Sequence, residues 1–243
     1  MYDSLIIIPA YNEEKNIGKV LSEIRNLNLE ADVLVVNDGS HDRTEDVVCR
    51  ENVQVVSLPY NLGYGGALQT GFKYAVKMGY KYVVQFDSDG QHDPNDINII
   101  LDKLKADDVD VVIGSRFLIK DRIKIGIMKN AAISMFRFLI RHLSGKTVTD
   151  PTSGLKGLKR SVFSYFSMMG KYPADYPDAD IVIQMIRFRF KVAEVPANIR
   201  KRNEGRSMHS GLKPVYYFIK IILCIIINLL REKVLNEGGE FNG

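Results

Sequence analysis

The stretch Tyr82-Val83-Val84-Gln85-Phe86-Asp87-Ser88-Asp89-Gly90-Gln91-His92-Asp93-Pro94 decides the reading of this chain. Tyr82 to Phe86 is a short run rich in β-branched and aromatic residues, the pattern of a buried strand. It stops abruptly at two carboxylates one residue apart. Asp87 and Asp89 at the end of a buried strand can point into one crevice. A hard divalent cation such as Mg²⁺ or Mn²⁺ takes oxygen ligands, commonly one or two carboxylates plus substrate phosphate oxygens. Gln91 can add a carbonyl oxygen. An isolated acidic turn of this kind is more often solvated, with Asp93-Pro94 starting the next helix. The surroundings turn the reading toward a ligand site.

Outward from that stretch, the same grammar repeats. Leu5 to Pro9 reads as a strand ending in Ala10-Tyr11-Asn12-Glu13-Glu14, followed by a helix to about Leu27 with Ile17, Val20, Leu21 and Ile24 on one face. Val33 to Val36 ends in Asn37-Asp38-Gly39-Ser40, and Val109 to Gly114 ends in Ser115-Arg116-Phe117. A weaker strand lies around Val53 to Leu58. Strands alternating with helices imply a doubly wound, mostly parallel sheet. In such sheets ligands bind beyond the carboxyl ends of the strands, where these polar clusters fall. Asp38 there either contacts a nucleobase or ribose, or caps the helix after Asp42. Tyr11 and Glu13 are likewise base contacts or a helix start. Gly63-Tyr64-Gly65-Gly66 departs from the phosphate-loop pattern and reads as close helix packing.

The second half differs. Ile123 to Leu143 mixes apolar residues with Lys124, Lys129, Arg137 and Arg141, which suits either an interfacial helix on anionic lipid or an ordinary core-facing helix. Asp150-Pro151-Thr152-Ser153-Gly154 reads as a loop, and Asp180 to Arg189 as a helix. Between Arg187 and Lys220 there are nine Lys or Arg against two Glu. Arginine forks match phosphate oxygens, so the loop Arg200 to Ser207 is a candidate lipid-phosphate site beside its plainer reading as a solvated charge run. Val215 to Leu230 is nearly apolar, but as a helix it would span about 24 Å, short of a bilayer core. It reads as membrane-associated or partner-packed. The expected division is a catalytic domain over 1–210 and a membrane-associated or partner-binding segment over 211–243.

Bulk properties narrow the classes. A chain of 243 residues with 46% hydrophobic and 26% charged residues holds one large α/β domain. The net charge of +4 is mild and local, and no nucleic-acid module is recognisable, so nucleic acid is not an expected partner. Cys49 and Cys224 lie far apart without a metal-ligand spacing, which argues against a zinc site and suits a reducing compartment. The opening MYDSLIIIPAYNEE lacks the layout of a signal peptide.

Taken together, PAYNEE at 9–14, NDGS at 37–40, FDSDGQHDP at 86–94, GSRF at 114–117 and DPTSG at 150–154 resemble family 2 glycosyltransferases of the GT-A fold, over nearly the whole chain. The closer similarity is to polyprenyl-phosphate sugar synthases. The resemblance implies an inverting transfer from a UDP- or GDP-linked sugar to polyprenyl phosphate at the cytoplasmic face of a membrane. It implies a metal set of Asp87, Asp89 and Gln91, with Asp89 catalytic. Nucleotide-sugar contacts fall on Pro9, Tyr11, Glu13, Asp38, Asp87 and Ser88. Acceptor-phosphate contacts fall on Arg116, after Ser115, and on Arg200, Arg202, Arg206 and Ser207. One stretch departs from the synthase pattern: Asp175-Tyr176-Pro177-Asp178-Ala179-Asp180. In hydroxyl-directed relatives a catalytic base sits near here, which nominates Asp178 or Asp180, a lipid-linked saccharide acceptor and a small membrane-protein partner. The competing classes are a nucleotidyltransferase and a non-catalytic nucleotide-sugar-binding protein.

Overall fold

The computed structural model describes residues 2–106, 108–119, 127–173 and 179–200. These belong to one compact unit. Seven strands form one sheet: β1 (Ser4–Ala10), β2 (Asp32–Asn37), β3 (Gln54–Ser57), β4 (Tyr82–Gln85), β5 (Val111–Ser115), β6 (Lys156–Lys159) and β7 (Val192–Pro196). Their order is β3-β2-β1-β4-β6-β5-β7. Only β6 runs against its neighbours, pairing antiparallel with both β4 and β5. β5 and β7 are parallel. The helices are α1 (Ile17–Asn26), α2 (Thr44–Arg50), α3 (Tyr64–Met78), α4 (Asp96–Ala106), α5 (Ile127–Ser144), α6 (Arg160–Ser167) and α7 (Ala179–Arg187).

The central strands are continuous apolar runs because both faces are covered. All seven residues of β1 are buried. One face packs Ile6 and Ile8 with Ile17, Val20, Leu21 and Ile24 of α1 and Ile97, Ile100 and Leu104 of α4. On the other, a Cβ at Gly71 of α3 would stand 2.5 Å from Ile7 Cγ2, so α3 lies on the sheet as closely as a glycine permits.

The element that sequence patterning missed is the pair β6 and α6. Lys156-Gly157-Leu158-Lys159 is short and carries two lysines, so it shows no strand signal. It is nevertheless central, and Lys156 is buried. Its antiparallel direction carries Gly154 and Leu155 back to the edge where β1, β2 and β4 end. α5 takes the core-facing option, burying Ile133, Phe136 and Ile140 and packing against α7, with Phe138 left exposed. Among the described residues no helix is long and apolar enough to cross a membrane. The apolar segment Val215 to Leu230 lies outside the described residues.

Candidate active site

Three loops leave the sheet at its carboxyl edge and are laced to one another. After β1, Asn12 turns with φ 55°, its N–H donates to Ser40 Oγ at 3.0 Å, and its Oδ1 accepts the His41 N–H at 2.8 Å. The Glu13 N–H donates to Thr44 Oγ1 at 2.9 Å, and Asn16 donates to Glu13 Oε2 at 2.7 Å. Tyr11 stays exposed, edge-on to His41. Pro9 is a buried residue of β1.

Asp38 does something neither sequence reading foresaw. It is 2% exposed, and its two oxygens accept the N–H groups of Leu62 at 2.7 Å and Gly63 at 3.0 Å. Burial pushes its carboxyl up and those two N–H groups pull it back. It therefore ties the loop before α3 to the end of β2. Gly39 completes this crossing: with φ 66°, a Cβ there would meet the Tyr60 carbonyl carbon at 2.6 Å.

Fastening that loop places Tyr64, the first residue of α3, whose hydroxyl donates to Asp87 Oδ1 at 2.7 Å. Asp87 Oδ2 faces His92 Nε2 at 3.3 Å. Burial raises the Asp87 carboxyl, but His92, the Tyr64 hydroxyl and the Lys156 charge outweigh it and hold it below the ordinary carboxylate value. A third wall is backbone. A Cβ at Gly154 would stand 2.2 Å from Asp87 Oδ2, so only glycine lets the DPTSG loop pass. Asp89 is half-buried, and its Oδ1 accepts the Gln91 N–H at 3.0 Å, closing a tight turn around Gly90 at φ 72°. Ser88 is buried between them.

Gln91 takes part through its backbone, its carbonyl accepting the Arg200 N–H at 2.7 Å. The start of the basic loop is thereby stitched to the acidic one, along with a bridge between His92 and Ile199. The Arg200 side chain is drawn into this seam, bonded to Glu23 Oε2 at 2.7 Å and paired with Asp93 Oδ1 at 3.2 Å. Two carboxylates thus share the guanidinium, whose side chain remains 42% exposed. Arg202, Arg206 and Ser207 lie outside the described residues.

Arg116 is also committed to a carboxylate. Its Nε and one terminal nitrogen grip Asp150 Oδ2 and Oδ1, each at 2.6 Å, and the same terminal nitrogen reaches Thr152 Oγ1 at 2.8 Å. Asp150 is fully buried. Behind it Glu194 of β7 accepts the N–H groups of Thr149 at 2.7 Å and Asp150 at 2.9 Å, and Ser115 and Thr149 share a 2.6 Å hydroxyl contact. A lone glutamate in the strand Val192-Ala193-Glu194-Val195-Pro196 was the available signal for this network. Asp180 is buried at the start of α7. Asp178 lies outside the described residues.

Two carboxylates at the carboxyl edge of the sheet, one held by side chains and one at a tight turn, are a donor set suited to a hard cation. Among the described residues no three His, Cys, Asp or Glu cluster as a self-sufficient metal cage. A cation held by two carboxylates and completed by the phosphates of a ligand matches that arrangement.

The family model for glycosyl transferase family 2 matches residues 5–166. The chain belongs to this family. Among its relatives, the UDP-N-acetylglucosamine–dolichyl-phosphate N-acetylglucosaminyltransferase of Methanococcus voltae is 32% identical over 81% of this chain and 86% of its own. The polyprenol monophosphomannose synthase of Mycolicibacterium smegmatis is 28% identical over 86% and 81%. Among solved structures, glucosyl-3-phosphoglycerate synthase from Mycobacterium tuberculosis, in complex with Mn²⁺ and uridine-diphosphate-glucose, superposes with a TM-score of 0.69. It is 20% identical and covers 93% of this chain and 78% of its own. That likeness establishes the GT-A-like fold.

The Gly154–Asp87 contact makes a sharp prediction for this family member. Gly154→Ala should push the Asp87 carboxylate off its Tyr64 and His92 partners and weaken Mn²⁺ binding at least tenfold in the presence of nucleotide, read by paramagnetic resonance of free Mn²⁺. Gly170→Ala, where a Cβ meets nothing within 4 Å but φ is 71°, should strain its own turn and still leave Mn²⁺ affinity unchanged.

Proposed function

We propose that this glycosyltransferase moves a sugar from a UDP- or GDP-linked donor to a polyprenyl phosphate at the cytoplasmic face of a membrane. The observation that carries the reading is the Asp87–Asp89 turn, seated at the sheet's carboxyl edge with Asp87 fixed from three sides. Support for the acceptor comes from the relatives, two of which are named for dolichyl or polyprenol phosphate chemistry over more than four-fifths of this chain.

Asp87 and Asp89, with Gln91 beside them, would hold Mg²⁺ or Mn²⁺, which when bound offsets the charge developing on the departing nucleotide diphosphate. Tyr64, His92 and Gly154 keep Asp87 in place, so no reorganisation is needed as that charge appears. Pro9, Tyr11, Glu13 and Ser88 border the space for the nucleotide sugar, with Asp38 holding its rim. An acceptor phosphate oxygen forms the new bond to the anomeric carbon as the bond to the diphosphate breaks, in one inverting displacement. The phosphate is already an anion at neutral pH, so no group on the protein has to remove a proton. Arg116, Arg200, Arg202, Arg206 and Ser207 are the candidates to hold it; Arg116 is also bonded to Asp150, and Arg200 to Glu23 and Asp93.

A hydroxyl acceptor would instead require a base, and Asp178 and Asp180 are the candidates. The two acceptors separate cleanly in an experiment. Asp178→Asn and Asp180→Asn should each keep transfer to polyprenyl phosphate within about threefold of the parent. A loss of a hundredfold or more in either, with the circular-dichroism spectrum unchanged, would contradict a phosphate acceptor and favour a lipid-linked saccharide.

A further inference from the structure

A surface patch outside the acidic turn combines exposed apolar side chains with nearby cations. α6 ends in the turn Met168-Met169-Gly170-Lys171. Met169 is 90% exposed and Met168 54%. The turn is built on Tyr165, whose carbonyl accepts the Met168 N–H at 3.2 Å and whose ring lies 5.5 Å from Lys171 Nζ. Phe188, at the end of α7 and itself exposed, packs on the same ring at 4.7 Å. Apolar side chains this exposed are uncommon unless something covers them.

Charge indicates what that is. Lys171 lies in the turn itself, Arg187 and Arg189 flank Phe188, and neither 160–173 nor 181–190 contains an Asp or Glu. An apolar tip in an acid-free, cationic setting is complementary to an anionic lipid surface. The turn is anchored from both sides. α6 starts at the far edge of the sheet, where Arg160 donates to the Tyr80 carbonyl at 2.9 Å. It runs back toward the site edge, where Gln69, near the beginning of α3, donates to the Phe166 carbonyl at 3.0 Å and the Met168 carbonyl at 2.8 Å. Just beyond the turn, the Tyr172 hydroxyl accepts from Gln85, the last residue of β4, at 3.2 Å. The turn is therefore held firmly against α3 and β4.

We propose that the Met168–Lys171 turn, with Tyr165 and Phe188, is a bilayer-contact patch. Met168 and Met169 enter the headgroup region of an anionic leaflet and Lys171 pairs with its phosphates. This rests on the reading that the acceptor lies in a membrane.

The test uses the full chain with Cys49→Ser and Cys224→Ser, and Met169→Cys carrying an environment-sensitive fluorophore. Addition of mixed phosphatidylcholine–phosphatidylglycerol vesicles should shift the emission to the blue. Brominated lipids should quench it, and Lys171→Glu should reduce it several-fold. Emission unchanged by vesicles, or already blue-shifted before they are added because protein covers the patch, would overturn the proposal. A second variant separates this patch from catalysis. Met168→Asp with Met169→Asp should lower transfer to vesicle-embedded polyprenyl phosphate about tenfold while leaving transfer to a short, soluble polyprenyl phosphate unchanged. Equal activity on both acceptors refutes the patch. No transfer to either acceptor by the parent chain refutes the acceptor reading instead, and the fluorescence result still stands by itself.

Discussion

Asp89→Ala should abolish sugar transfer, lowering kcat/KM by about a thousandfold or more. Asp89 stands half-buried at the tight turn closed by the Gln91 N–H. Asp87 is held by Tyr64 and His92. The two are held differently: Asp87 by the side chains of Tyr64 and His92, Asp89 by the backbone N–H of Gln91. Removing Asp89 should therefore leave the thermal transition close to that of the parent while Mn²⁺ affinity collapses. Both are measurable on one preparation, by calorimetry and by paramagnetic resonance. Retained transfer in Asp89→Ala would exclude the metal-assisted route.

Asp150→Ala should produce the largest loss of stability. Asp150 is fully buried and binds the Arg116 guanidinium through both oxygens. Arg116 is itself only 12% exposed at its side chain. Removing one partner of a buried pair leaves the other charge without compensation, at a cost of about 3–5 kcal/mol. The Arg116–Thr152 bond stays behind but cannot neutralise the charge. Chemical denaturation should show a matching fall in unfolding free energy. Thr152→Ala, which removes one hydroxyl contact, should cost only about 1 kcal/mol. Equal effects of the two substitutions would show that the pair has no special weight. Arg116 then acts first as the clasp between the end of β5 and the DPTSG loop, whatever else it contacts.

The parallel half of the fold was legible because its strands are buried on both faces and so read as unbroken apolar runs ending in polar clusters. Leu5 to Pro9, Val33 to Val36 and Tyr82 to Phe86 each fall within a residue or two of the observed strands. β6 was not legible. Its signal was masked by Lys156 and Lys159, and a buried lysine carries no pattern that marks it as buried. The acidic turn was legible for the same reason as the strands: Asp87 and Asp89 interrupt an apolar run. Their supports were not. Tyr64 comes 23 residues before Asp87, and Gly154 meets it only because β6 runs antiparallel. Asp38 reads as a ligand contact or a cap; its bonds to the N–H groups of Leu62 and Gly63, 24 and 25 positions on, are a further role that no short-range pattern marks. Arg200 read as one cation in a basic run, because Glu23, its partner, is 177 positions away. Short-range patterns report elements; the partners that orient a site are long-range and emerge only when the sheet closes.

Phosphorus magnetic resonance of the acceptor is the most direct measurement of the central claim. Purified protein, a UDP- or GDP-linked sugar, Mn²⁺ or Mg²⁺ and a short polyprenyl phosphate are incubated together, and the acceptor phosphorus is followed. The account predicts that the phosphomonoester resonance is replaced by that of a phosphodiester, in step with nucleotide diphosphate release and only when the metal is present. Nucleotide release with the monoester resonance unchanged would contradict it.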